Sequence, residues 1–219
     1  MTESVGKRCT YPVRRLAFLC AGLIIMAFGV AFSIKAALGT SPISSVPYVT
    51  ARISGMSVGT TTIIMNFIFV LIQIGILRKQ YQWFQLLQFP AAVLFGVMID
   101  VAEAVLSPLP AGNYLQQWLL CAVGIVLIAL GVSVEVMANL VTTAGEGIVL
   151  AICKVFPVKF GNMKMAFDIT LVCISIVLSL LFLGRLDGVR EGTVAAAVLV
   201  GQITKRFQPL MKALERAVL

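Results

Sequence analysis

A chain of 219 residues that is 60% hydrophobic and only 12% charged is too apolar for a water-soluble domain, which carries about a quarter charged residues. Its net charge of +8 does not point to nucleic acid, because Lys and Arg gather between the apolar runs, as they do in the cytoplasmic loops of membrane proteins. There is no His, and Cys9, Cys20, Cys121, Cys153 and Cys173 are scattered without a C-x-x-C spacing, so zinc, iron–sulfur and haem sites, His-based catalysis and a bound cofactor are not expected.

Residues 1–13 read as a basic, cytoplasmic N-terminal segment. The apolar run that follows lacks an A-x-A-like cleavage site and reads as a first transmembrane helix rather than a removed signal peptide. Long apolar segments lie at about 16–37, 58–77, 84–106, 115–139, 165–183 and 191–205, most of them long enough to span a bilayer. Two stretches, about 42–54 and 144–156, are too short: at 1.5 Å per residue each spans roughly 20 Å. The expected fold is all-α and polytopic, with six long transmembrane helices and two short membrane-embedded ones. Tyr81, Trp83, Tyr114 and Trp118 flank spans as interface anchors.

The order of elements repeats. Shifted by 102 positions, "GLIIMAFGVAFSI" (22–34) lies on "GIVLIALGVSVEV" (124–136) without a gap, and Gly59 falls on Gly161 and Asn66 on Asp168. After a slip of three more, "AAVLFG" (91–96) lies on "AAVLVG" (196–201). This divides the chain into repeat 1 (14–106), a linker (107–113), repeat 2 (114–206) and a basic cytoplasmic tail (207–219). If the short helices do not cross, each half has three spans and the halves run in opposite senses; if they do, there are eight crossings and a parallel repeat. The positive-inside rule serves both about equally. The uncharged linker "SPLPAGN" looks external and favours the inverted arrangement.

Each half breaks at the same place. In "LGTSPISS" Ser41 can cap a short helix that starts with Pro42; in "LVTTAGEG" Thr143 and Glu146 have the spacing of a capping box. Helix starts held at membrane depth offer free N–H groups to a polar ligand and mark solute sites in secondary transporters. A capped corner near the surface is the plainer alternative. Ser41, Ser44, Thr143 and Glu146 are therefore the first candidate solute-binding residues. Asn66, Asp168, Lys35 and Glu135 form a second polar layer, since an ionisable group within a span is costly and calls for a partner. Lys35 is expected to pair with Glu135 or Glu146, or to snorkel to the interface; Asp168 can pair with Lys164 four residues earlier. Asp100 and Glu103 share a helix face and could hold a cation or form a wet helix end. Glycines 22, 29, 75, 96, 124, 131 and 201 suit close helix packing.

The segments "GVAFSIKAALGTSPISSVPYV", "MSVGTTTIIMNF", "LLQFPAAVLFGVMID", "TTAGEGIVLAI", "GNMKMAFDITLV" and "GRLDGVREGTVAAAVLVG" together resemble the bacterial YczE/YitT-like membrane protein family, in its DUF6198 branch, over about residues 15–210. The resemblance implies a multi-pass protein of the bacterial inner membrane, and no settled chemistry. Wider relatives often read "LGTSPWD", where this chain has Ile43 and Ser44, so the acidic group survives only in the second half, at Glu146.

These readings converge on a small secondary transporter or facilitator of a small polar or charged solute or ion, embedded in the lipid bilayer with both termini cytoplasmic, and not an enzyme. If transport is proton-coupled, Glu146 or Asp168 is the expected carrier. The alternative is a solute-binding or accessory subunit that depends on a partner complex; a homo-oligomer is also compatible with the sequence.

Overall fold

A computed structural model describes residues 12–110 and 112–218; most of the expected N-terminal segment lies outside the described residues. The described chain is eight α-helices and no strand: α1 Pro12–Ala36, α2 Pro42–Ser54, α3 Val58–Leu77, α4 Gln88–Leu106, α5 Tyr114–Ala138, α6 Ala144–Val155, α7 Phe160–Leu178 and α8 Glu191–Val218. Both short helices fall where their length and the Pro/Ser/Thr and Gly punctuation place them. Five helical segments are long and apolar enough to cross a membrane: those around α1, α3, α4, α5 and α7. The sixth expected span differs in kind. Its apolar part, 193–204, is only the first portion of α8, which continues through Pro209 with Lys205, Arg206, Lys212 and Glu215, so the tail expected after residue 206 is a continuation of the helix.

The centre is the crossing of α1 and α5. Gly22 sits against Gly131 and Gly29 against Gly124, so the partner number falls as the α1 number rises and the two helices run antiparallel. A Cβ on Gly131 would stand 2.7 Å from both the Gly22 carbonyl oxygen and the Met26 nitrogen. These are backbone atoms that cannot swing aside. Gly131→Ala should therefore cost about 1–3 kcal/mol by overpacking, read as a lower thermal midpoint in detergent. Gly75→Ala is the control: nothing lies within 4 Å of its Cβ position, and its midpoint should hold or rise slightly.

Leu19, Leu23, Met26, Ala27 and Val30 of α1 pack with Ile99 of α4 and Ile128 of α5 in the largest apolar cluster. Outside α1 and α5, α4 lies along α1 and α8 along α5. The short helices cross over: α2 packs on α7 as well as on α3, and α6 packs on α3 as well as on α7. At each break the long helix ends in a left-handed non-glycine residue, Ala37 (φ 55°) and Asn139 (φ 46°). A distant arginine satisfies the freed carbonyls there. Arg190 Nη1 donates to the Ala37 carbonyl at 3.0 Å, and buried Arg15 Nη1 donates to the Ala138 carbonyl at 3.0 Å. A cation at a helix C-terminus also suits the helix dipole. α7 turns Met165, Ile169 and Val177 outward, a face that only lipid or another apolar surface would cover.

Candidate functional site

The break in each half positions the site. After Ala37 the chain reverses to start α2 at Pro42, and after Asn139 it reverses to start α6 at Ala144. The two starts abut, with the Ile43 side chain lying over Gly145, where any Cβ would collide with it. Gln73 of α3, 1% exposed, holds α6 in place: its Nε2 donates to the Ala144 carbonyl at 2.9 Å, and its amide fills the space left by the missing side chain of Gly147.

Both helix starts line one cavity of about 400 Å³. Its wall is mostly apolar, from Leu23, Met26, Phe95 and Val200 among others, with polar groups converging at the breaks. Seven of the eight residues expected to bind a solute line it: Ser41, Ser44, Asn66, Glu135, Thr143, Glu146 and Asp168. Lys35 does not. Its Nζ donates to the Ser107 carbonyl at 2.8 Å, at the end of α4, so the expected pairing with Glu135 or Glu146 is absent. The antiparallel crossing explains this. Glu135 lies beside Gly22, and Lys35 lies further along α1 by roughly 20 Å of helix.

The capping expectations need correction in detail. Ser41 and Thr143 occupy the cap positions, but neither side chain caps the backbone. Ser41 Oγ donates instead to Ser44 Oγ at 3.0 Å. The Thr143 backbone N–H donates to Glu135 Oε1 at 2.6 Å, so the carboxylate at the start of α6 comes from the preceding helix and not from Glu146. Glu146 is thereby not used as a cap. It makes no hydrogen bond or salt bridge among the described residues, and neither does Asn66, which is 7% exposed. The expected pair on α7 is present: Lys164 Nζ meets Asp168 Oδ1 at 2.7 Å, and both face the cavity.

Asp100 has a structural role: its Oδ1 accepts from the Gly59 N–H and its Oδ2 from Ser57 Oγ, both at 2.7 Å, so it caps α3. Besides Gln73, two groups were missed. Gln88, 3% exposed, lines the cavity with an Oε1 that has no hydrogen-bond partner among the described residues. Asp187 gathers Arg52 at 3.6 Å, Arg185 at 3.5 Å and the Tyr48 hydroxyl at 3.5 Å, tying α2 to the segment before α8. A polar residue inside an apolar run was the available signal for Gln73 and Gln88. Among the described residues there is no group of three or more His, Cys, Asp and Glu placed to hold a metal ion.

The long apolar helices, and a mostly apolar cavity with carboxylates in its wall, define a polytopic all-α membrane protein. The family of unknown function DUF6198 matches residues 13–209, and the chain belongs to it. It is 30% identical over 200 residues to the uncharacterized membrane protein YczE of Bacillus subtilis (strain 168), covering 90% of this chain and 86% of that one. It is also 26% identical over 193 residues to the uncharacterized protein YyaS of the same organism, covering 87% and 90%. No solved structure matches the chain.

Proposed function

We propose that the protein is a small secondary transporter or facilitator, built as an inverted repeat in the bacterial inner membrane with both termini cytoplasmic. Its solute is small, with an apolar body and at least one polar or charged group. The observation that carries this is the convergence of two broken-helix starts, one from each half, on a single cavity that holds a hydrogen-bond-free carboxylate, Glu146. Discontinuous helices meeting at a central site are the signature of secondary transport. The inverted repeat is supported by the antiparallel glycine crossing. Gly22 and Gly29 are matched in the second half by Gly124 and Gly131, and the contact Gly22–Gly131 is the mate of Gly124–Gly29. The left-handed residues Ala37 and Asn139 also stand 102 apart. A rotation about one axis between α1 and α5 accounts for both.

Two measurements test the reading. A periplasm-active reporter fused at Gly112 should be active, and a cytoplasmic reporter there inactive; the reverse would replace the inverted repeat with a parallel one. Purified protein in proteoliposomes carrying an internal pH dye, challenged with a panel of small amphiphilic acids, amines and zwitterions, should move at least one. A solute that binds in detergent but never crosses would replace transport with the partner-dependent subunit.

A further inference from the structure

The two halves differ in how their last two long helices pack. In the first, Gly59 of α3 and Gly96 of α4 are buried against each other: a Cβ on Gly59 would collide with the Gly96 carbonyl, and one on Gly96 would stand 2.6 Å from the Gly59 carbonyl. Asp100 locks this closure by accepting from Ser57 and Gly59 at the positive end of α3. The counterparts in the second half, by the same alignment, are Gly161 of α7 and Gly201 of α8. Both are exposed, nothing lies within 4 Å of either Cβ position, and α7 and α8 hardly touch. Phe160, Lys164 and Gly201 line the cavity along this gap.

The counterpart of Asp100 is Lys205, and that of Ser57 is Lys159. In the closed arrangement a cation would thus meet the positive end of α7 and a second lysine, where the first half has a carboxylate and a hydroxyl. The residue that locks one pair repels in the other.

We propose that the gap between α7 and α8 is a gate of the transport cycle: α7 moves onto α8 until Gly161 and Gly201 meet as Gly59 and Gly96 do, and Lys205 holds the gate open. The gate rests on the transporter reading of the cavity and adds to it the residues that move. Exchange of two arrangements between inverted halves opens a midplane site to one side and then the other. Small residues on both faces allow the helix axes to close to roughly 8 Å.

The test is a distance. Spin labels are placed at Met165 and Val198, which are 64% and 53% exposed, in protein whose five cysteines are replaced and which is reconstituted in lipid. Pulsed dipolar spectroscopy should find a dominant long α7–α8 distance and a minor short one. Lys205→Asp gives α7 the cap that α3 has and should make the short distance dominant. Gly201→Leu fits the open arrangement and should fold normally, yet show the long distance alone and reduce solute flux to background. One unchanged distance in all three proteins would overturn the gate. So would flux that survives Gly201→Leu, with the transporter reading left standing. Distances that respond as expected without any solute flux would keep the gate and sink the transporter.

Discussion

Glu146→Gln is expected to abolish solute-driven proton flux in proteoliposomes while leaving the thermal midpoint in detergent unchanged or higher. The two halves of this expectation have separate grounds. Glu146 sits in the first turn of α6, facing the cavity, and makes no hydrogen bond or salt bridge among the described residues. The substitution therefore breaks nothing that holds α6 and takes a charge out of a mostly apolar wall, so stability should hold or rise. The amide keeps the shape of the side chain and removes its charge and its proton. A carboxylate kept in a mostly apolar wall with no hydrogen bond or salt bridge is costly, which is the reason to read it as functional. Asp168 is the comparison. Its carboxylate is held by Lys164 at 2.7 Å, so Asp168→Asn disturbs an ion pair as well and should lower stability together with flux. Flux unchanged by Glu146→Gln would remove Glu146 as the proton carrier.

What could be read in the sequence was local. The bounds of α2 and α6 follow from Pro42, Gly55 and the "TTAGEG" segment, because helix starts and stops are written in neighbouring residues. The Lys164–Asp168 pair is likewise one turn of one helix. What was misread depends on which helices meet. Thr143 and Glu146 have the spacing of a capping box, but the spacing is silent about Glu135, eight residues back, which reaches the Thr143 N–H first. Lys35 has the right charge to meet Glu135 and lies on the wrong stretch of α1 to do so, a consequence of the direction in which α1 and α5 cross. The crossing-over of α2 onto α7 and of α6 onto α3 is long-range and left no mark in either segment alone. The contrast between Gly59–Gly96 and Gly161–Gly201 was hidden for another reason. The alignment makes the pairs equivalent, and only packing shows one closed and the other open.

Glu135→Leu should have the opposite profile to Glu146→Gln: a marked loss of stability, with function lost as a consequence. Glu135 is 3% exposed, near the end of α5, and its Oε1 accepts from the Thr143 backbone N–H at 2.6 Å. That bond ties the end of the fourth long helix to the start of the second short one, across the left-handed turn at Asn139. Leucine removes the acceptor and leaves a part-buried backbone donor unsatisfied, which costs about 1–3 kcal/mol. Glu135→Gln separates the roles. Its side-chain carbonyl can still accept from Thr143, so most of the stability should return. If Glu135 acts only by positioning α6, flux should return with it, whereas Glu146→Gln stays dead although fully folded. Thermal midpoint and flux measured on the same three preparations decide between the two assignments. A folded Glu135→Gln protein without flux would place Glu135 with Glu146 among the groups that meet the solute or its proton.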